Sequence, residues 1–212
     1  MLSAWSRPPF ITFEGGEGVG KSTQLKRLAA RLRERGIQVL ETREPGGSPG
    51  AEDIRRLLVT GAPERWDALT ETLLVTAARR AHVEATIRPA LIAGQWVLCD
   101  RFVDSTHAYQ GAAGEVAAAV IDELTTLAIG DLRPDRTLIL RLPVERALAR
   151  AAERGDGEGR FEAKGVAFHR ALDQAFTAIA ARDPARCRLI DAEGDVDVVA
   201  ERVWTAIADI VP

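Results

Sequence analysis

A glycine-rich segment near the start of the chain carries the residue types that bind phosphate groups. Residues 15–22 read G-G-E-G-V-G-K-S, which is the spacing of a phosphate-binding loop. In such a loop the glycines let several backbone N–H groups point at one phosphate, the lysine reaches the β and γ oxygens, and the serine hydroxyl ligates Mg²⁺. The residues predicted to bind ATP are therefore Gly15, Gly16, Glu17, Gly18, Val19, Gly20, Lys21, Ser22 and Thr23.

An acidic residue further along the chain completes the predicted metal site. The run 96–99 is continuously apolar, as expected of a parallel strand buried on both faces, and Asp100 follows it directly. Ligands bind at the carboxyl edge of open α/β sheets, so Asp100 is expected to hold Mg²⁺, or a water bound to it, together with Ser22. Capping of the next turn is the alternative role for this aspartate.

Arginines at the ends of predicted elements indicate a second, anionic substrate. Guanidinium groups bind phosphate oxygens in a bidentate fashion, and candidates for this role are Arg43, Arg55, Arg79 and Arg101. A polar, glycine-rich stretch, residues 153–162, adds Arg154 and Arg160. We interpret it as a short lid that closes over ATP and brings positive charge to the transferring phosphoryl group, with a solvated loop as the alternative.

The elements that must position these residues follow an alternating β and α pattern. Apolar β-prone runs predict five strands, which begin near Phe10 and continue at 37–42, 96–99, 137–140 and 187–190. Helical spacing predicts a helix after the phosphate loop and others at 51–59, 67–93, 115–129, 144–152, 161–181 and 196–210. The predicted fold is α/β, a three-layer P-loop NTPase fold in which helices flank a five-stranded parallel sheet, with a short lid.

Composition excludes several classes of protein. The chain has 212 residues, 46% of them hydrophobic and 28% charged, which predicts a single globular domain over residues 1–212. A net charge of −3 argues against bulk binding of nucleic acid, and no run approaches the length of a membrane span. Cys99 and Cys187 each lie in an apolar run and are predicted to be buried thiols in a reducing compartment, so the expected location is the cytoplasm.

Four stretches together resemble the bacterial thymidylate kinases over nearly the whole chain. They are residues 13–23 (FEGGEGVGKST), 42–47 (TREPGG), 100–111 (DRFVDSTHAYQG) and 160–162 (RFE). The resemblance implies transfer of the γ-phosphoryl of Mg·ATP to dTMP, which gives dTDP and ADP, on a nucleoside-monophosphate-kinase fold. It further implies a homodimer packed through helices and a cis peptide bond between Glu44 and Pro45.

The same resemblance implies roles for individual residues. Glu17 is expected near the sugar 3′-hydroxyl of dTMP, and Arg55 and Arg101 at its phosphate. Arg79, Thr106 and Gln110 are expected around the thymine, so that the implied substrate-binding set is Glu17, Glu44, Arg55, Val75, Arg79, Arg101, Thr106, Tyr109 and Gln110. Gly18 falls where other branches of the family carry a loop arginine, which leaves the lid to supply that cation. The implied catalytic residues are Lys21, Asp100, Arg101, Arg154 and Arg160.

Two positions depart from the family pattern, and they keep a second enzymatic interpretation open. Val75 replaces a frequent aromatic residue that stacks on thymine, and Arg141 replaces a common strand-end aspartate. A related nucleoside monophosphate kinase with altered base choice is therefore one alternative. Another is a regulatory protein that binds nucleotide but has no second substrate. The three histidines are interpreted as structural or solvated: His82, His107 and His169.

Overall fold

The sheet of this protein is entirely parallel, as the alternating pattern predicts. A computed structural model describes residues 7–62, 64–154 and 164–212, with only the backbone of Arg154. Its five strands pair in the order β2-β3-β1-β4-β5. They are β1 (Phe10–Glu14), β2 (Val39–Arg43), β3 (Trp96–Asp100), β4 (Arg136–Arg141) and β5 (Cys187–Asp191). That residues 1–212 form one domain stays a prediction.

The register of the sheet brings the carboxyl ends of its first three strands to one edge. In the parallel pairing of β1 with β3, Phe13 lies opposite Asp100, and in the pairing of β2 with β3, Arg43 lies opposite the same aspartate. The phosphate loop leaves β1 at this edge. The polar residues that end these strands are therefore neighbours in space although they are far apart in sequence.

Helices cover both faces of the sheet. The helices are α1 (Lys21–Glu34), α2 (Pro49–Val59), α3 (Ala68–His82), α4 (Arg88–Ile92), α5 (Val103–Thr106), α6 (Ala118–Ile129), α7 (Val144–Arg154), α8 (Gly165–Arg182) and α9 (Val196–Thr205), with π-helical segments at Val83–Ile87 and His107–Ala112. Apolar side chains of α1 and α9 pack on one face of the sheet, against residues such as Phe13 and Leu98. The other face packs against α4, α6, α8 and the first π segment. The predicted three layers are confirmed.

The helix predicted at 67–93 is present but differs from the prediction in geometry. It changes to π-helical hydrogen bonding at Val83–Ile87 between α3 and α4. Two leucines of its apolar repeat are largely exposed, Leu69 at 48% and Leu73 at 49%. The inner face of α3 carries buried polar groups instead, among them Arg79 and His82. The apolar repeat thus predicts the helix but not which of its residues are buried.

Other element boundaries, and one whole segment, also differ from the sequence prediction. The last helix was expected to run to residue 210, but α9 ends at Thr205 and is followed by tight turns that bury Ile207 and Ile210. The segment 103–112 is helical without any apolar repeat that would predict it, because tertiary contacts hold it. Of the helix expected at 161–181, residues 161–163 lie outside the described chain, and α8 begins at Gly165.

Two local predictions are confirmed. The peptide bond between Glu44 and Pro45 is cis. Cys99 and Cys187 are both free and buried. None of the helices in the described ranges has the length and apolar character needed to cross a membrane.

Candidate active site

A cavity of about 380 Å³ opens at the carboxyl edge of the sheet, beside the phosphate loop. All of the residues predicted for the second substrate line it: Glu17, Glu44, Arg55, Val75, Arg79, Arg101, Thr106, Tyr109 and Gln110. Gly18, Gly20, Lys21, Ser22 and Asp100 line the same cavity at the end nearest the loop. The structure therefore brings the predicted donor and acceptor residues together in one space.

The phosphate loop has the backbone geometry that its glycines permit. Gly15, Gly18 and Gly20 have φ values of 125°, 71° and 96°, in the region that side chains disfavour. A Cβ added at Gly18 would lie 1.8 Å from the carbonyl oxygen of Ala147 in α7, so this conformation has no room for an arginine there. Lys21 Nζ donates to the carbonyls of Gly15 (3.2 Å) and Gly16 (2.6 Å). Burial and the charge of Arg101 lower the pKa of Lys21 to about 8.

Ser22 and Asp100 meet at the start of α1. The Ser22 hydroxyl donates to Asp100 Oδ2 at 2.5 Å. The other carboxylate oxygen, Oδ1, is buried and has no hydrogen-bond partner among the described residues. A buried carboxylate oxygen without a donor, beside a serine hydroxyl and next to a phosphate loop, fits a hard divalent cation such as Mg²⁺. The two predicted metal ligands are thus adjacent.

Arg101 connects the end of β3 to the phosphate loop. Its guanidinium donates to the Gly15 carbonyl at 2.9 Å and to Glu17 Oε1 at 2.6 Å. The Tyr109 hydroxyl donates to the same Glu17 oxygen at 3.0 Å. Burial raises the pKa of Glu17, but the charges of Arg101 and Lys21 outweigh it and lower that pKa to about 2. Glu17 is therefore an anion that can accept a hydrogen bond from a ligand hydroxyl.

Glu14, the last residue of β1, fixes the backbone around Arg101. Its carboxylate is fully buried and accepts from the Phe102 N–H at 2.7 Å and from the Ser105 hydroxyl at 2.5 Å. Arg101 lies in sequence between the end of β3 and Phe102. Its φ of 70° is an unfavourable conformation for a residue with a side chain. Burial and the nearby charge of Asp104 raise the pKa of Glu14 to about 7, against the opposing effects of Ser105, Arg101 and Phe102.

Arg79 is a buried residue of α3 that lines the cavity. Its Nε donates to Glu44 Oε2 at 2.7 Å, and its Nη2 donates to the Phe102 carbonyl and to Thr106 Oγ1, both at 3.0 Å. The remaining group, Nη1, is buried and has no partner among the described residues. Glu44, expected to bind substrate, has both oxygens engaged by protein groups, Arg79 and His82. Glu44 thus fixes a donor at the cavity wall.

The other predicted residues differ in how directly they face the cavity. Arg55 donates to the Pro45 carbonyl at 2.7 Å, and Gln110 donates to Glu71 Oε1 at 2.8 Å. Val75 contributes an apolar surface together with Pro45 and Leu58. The side chain of Val19, by contrast, packs in the hydrophobic core, so that only its backbone is available to a nucleotide. Thr23 is exposed on α1.

The predictions for the lid fall outside the described residues. The side chain of Arg154 and all of Arg160 lie there, as does most of the predicted lid. Arg141 does not line the cavity, and its Nε and Nη2 donate to the two carboxylate oxygens of Asp173 in α8 at 2.8 and 2.6 Å. The structural interpretation of His82 fits its complete burial.

Sequence reasoning missed Glu14, Ser105 and the contribution of His82. Only Glu14 carried a signal, as an acid at the end of an apolar strand directly before the loop. Its partners are 88 and 91 residues away in the chain, so the contacts themselves were not readable from the sequence.

A pH-dependent contribution to stability is expected from Glu14. Its pKa in the folded protein, about 7, lies above the ordinary value of 4.5, so this group stabilises the fold at low pH and loses that contribution as the pH rises through about 7. Glu14→Gln removes the charge and keeps the shape. The free energy of unfolding of Glu14→Gln relative to wild type should rise between about pH 5 and pH 8 in urea titrations. A difference that stays constant or falls over this range contradicts the assignment.

Comparisons with known proteins agree on one family. The thymidylate kinase family model matches residues 13–203. The thymidylate kinase of Nitrobacter winogradskyi is 56% identical over 205 residues, covering 96% of this chain and 89% of the relative. That of Caulobacter vibrioides is 55% identical over 202 residues, covering 95% of each chain.

A solved structure supports the same assignment. The crystal structure of thymidylate kinase from Ehrlichia chaffeensis superposes with a TM-score of 0.76 and 34% sequence identity, covering 94% of this chain and 98% of that one. The P-loop α/β fold and the resemblance inferred from the four sequence stretches are thereby confirmed. Since the family model spans most of the chain and the relatives are more than half identical, this protein belongs to the thymidylate kinase family, a family of phosphotransferase enzymes.

Proposed function

We propose that this chain transfers the γ-phosphoryl group of Mg·ATP to dTMP and releases dTDP and ADP. The observation that carries the proposal is the cavity of about 380 Å³, which is lined both by phosphate-loop residues and by Arg79, a buried arginine whose Nη1 has no partner among the described residues. A nucleoside monophosphate combines the matching groups, an anionic phosphate and a hydrogen-bonding base. Family membership supports the reaction.

On the donor side, the loop residues 15–23 hold the phosphates of ATP. Backbone N–H groups of the loop and Lys21 contact the β- and γ-phosphates, and the dipole of α1 adds positive potential. Ser22 and Asp100 hold Mg²⁺, which neutralises charge on the phosphate oxygens when it is bound. The unpaired Oδ1 of Asp100 and its neighbouring serine support this pair of ligands.

On the acceptor side, Arg101 and Arg55 bind the phosphate of dTMP, and Glu17 accepts a hydrogen bond from the sugar hydroxyl. The acceptor is already an anion, so transfer needs positioning and charge neutralisation rather than a strong general base. Arg101 is well placed for this, because its guanidinium is held between the phosphate loop and Glu17.

The base end of the cavity fits thymine. Arg79 Nη1 is offered to a carbonyl of the base, an acceptor that would relieve the cost of a buried unpaired donor. Thr106 and Gln110 complete the polar edge, and Val75 with Leu58 covers the ring. Valine cannot stack on the base as an aromatic residue does. Stacking of a base on an aromatic side chain contributes ~1–3 kcal/mol to binding, so Val75 should bind thymine more weakly by about that amount.

A substrate panel tests the proposed reaction. In a coupled ADP-release assay with Mg·ATP, we expect dTMP to be used at least tenfold better than dUMP or dCMP, since a single methyl in a fitted pocket is worth ~1–3 kcal/mol. Comparable rates for the three substrates would support a kinase with relaxed base choice, the alternative motivated by Val75. ATP binding without any phosphorylation would favour a regulatory protein.

The lid arginines are the proposed source of a cation at the transferring group, because Gly18 leaves no room for an arginine in the loop. Arg154→Ala or Arg160→Ala is expected to lower kcat at least tenfold, since loss of a transition-state cation costs more than ~1.4 kcal/mol. Steady-state kinetics at saturating ATP and dTMP measure this. Unchanged kcat in both variants rejects the assignment. The matched control is Arg170→Ala, which removes an exposed ion pair with Glu145.

We further propose a homodimer through the outer surface of α2, α3 and α6. Helix α3 packs against both α2 and α6. The three helices expose large apolar side chains to solvent: Leu57, Leu69, Leu73, Val120 and Leu127. A second copy of the chain would bury this surface.

The reaction is placed in the cytoplasm, where two buried free thiols stay reduced. No nucleic-acid or membrane partner is proposed.

An interface substitution tests the dimer. Leu73→Asp places a charge at the centre of the proposed surface and is expected to shift the protein from dimer to monomer in sedimentation equilibrium. Val198→Asp on α9, where the valine is 46% exposed, is the control and should leave the association state unchanged. A wild-type monomer, or a Leu73→Asp dimer of unchanged affinity, would reject this interface.

A further inference from the structure

His82 is buried at the end of α3 between the cavity wall and strand β2. Its side chain is fully buried, its Nδ1 lies 3.0 Å from Glu44 Oε1, and its Nε2 lies 2.7 Å from Thr42 Oγ1. An ionised carboxylate can only accept, so Nδ1 carries the proton shared with Glu44. In the neutral ring Nε2 then accepts from the Thr42 hydroxyl. These two hydrogen bonds assign the tautomer that is protonated at Nδ1.

The ring is also covered by the loop that follows the cis peptide bond. A Cβ added at Gly47 would lie 2.4 Å from His82 Nε2 and 2.5 Å from Thr42 Oγ1, so this glycine packs directly on their hydrogen bond. The Thr86 hydroxyl, in the first π-helical segment, donates to the Gly47 carbonyl at 2.8 Å. The loop at Gly47 is therefore held against the edge of the imidazole that carries Nε2.

The carboxylate of Glu44 transmits this orientation to the cavity. One oxygen accepts from His82 and the other from Arg79 Nε, and the side chains of Glu44 and Arg79 are each only 4% exposed. Arg79 lines the cavity, and its Nη1 has no hydrogen-bond partner among the described residues. A rotation of Glu44 about its side chain would remove the Nε partner and leave the guanidinium held only through Nη2, by the Phe102 carbonyl and Thr106.

We propose that His82 is a positioning residue for base recognition: it locks Glu44, and through Glu44 it aims Arg79 Nη1 at a carbonyl of the acceptor base. This inference rests on the proposed function. An arginine donor selects a carbonyl over an amino group, so the locked guanidinium discriminates thymine from cytosine at that edge. His82 touches neither substrate nor phosphate in this role, and it does not act on the phosphoryl-transfer step.

Two isosteric substitutions separate the two ring nitrogens. The amide nitrogen of His82→Asn occupies the place of Nδ1 and keeps the bond to Glu44, whereas that of His82→Gln occupies the place of Nε2 and keeps only the contact with Thr42. Both lose the ring, so a packing role would affect them alike. His82→Leu removes both hydrogen bonds, and Thr42→Val removes the partner of Nε2 without altering the ring.

The measurements are kcat and KM for dTMP, ATP and dCMP, with urea unfolding of each variant. We expect His82→Gln and His82→Leu to raise KM for dTMP at least fivefold and to reduce the preference for dTMP over dCMP at least fivefold, with KM for ATP within twofold of wild type. His82→Asn and Thr42→Val each lose only the hydrogen bond between Nε2 and Thr42, so each should raise KM for dTMP by about twofold and keep KM for ATP within twofold of wild type.

Equal KM values for dTMP in the Asn and Gln variants, or a matching rise in KM for ATP, would overturn the proposal, because either result indicates general loss of packing. Should His82→Leu not fold, the Asn and Gln pair still decides between the two outcomes, and unchanged kinetics in Thr42→Val count against the lock. Wild-type protein that fails to phosphorylate dTMP would refute the proposed function instead, which the same assay reports separately.

Discussion

The turn at Arg101 is the constraint on which the candidate site depends. A residue with a side chain at φ 70° costs of order 1–3 kcal/mol and persists only where its surroundings hold it. Here the Arg101 N–H bonds to Phe13, and the next residue bonds to the buried carboxylate of Glu14. The turn directs the guanidinium back to the phosphate loop, so strands β1 and β3 together set the distance between the donor and acceptor subsites.

Buried charge is the second organising feature of this cavity. Two ion pairs lie in its wall, Arg101 with Glu17 and Arg79 with Glu44, and each lowers the cost of burying its charges. Among the described residues that line the cavity, two buried side-chain atoms have no hydrogen-bond partner, Asp100 Oδ1 and Arg79 Nη1. Asp100 Oδ1 is an acceptor suited to a cation, and Arg79 Nη1 is a donor suited to a base carbonyl. The two atoms therefore suit different parts of a nucleotide complex.

Several features of the fold and site were predictable because their information is local. The loop at 15–22 and the strand-end Asp100 each depend on residues that adjoin in sequence, whereas the cis bond at Glu44-Pro45 was implied by the family resemblance. The apolar repeat of α3 did not show which residues are buried, since periodicity identifies an apolar stripe but not what it packs against. Arg141 departs from the family pattern and was considered as a possible influence on substrate binding. In the structure it pairs with Asp173 and does not line the cavity.

By itself, the sequence determined the order of strands and helices, the phosphate loop and the family, because these follow from short patterns of residue type. Only the tertiary structure decided which distant residues meet. Glu14 bonds to residues 88 and 91 positions away, and His82 bonds to Glu44 across 38 positions. Such contacts depend on the register of the parallel strands and the rotation of α3, which are set by packing of the whole core rather than by any one segment.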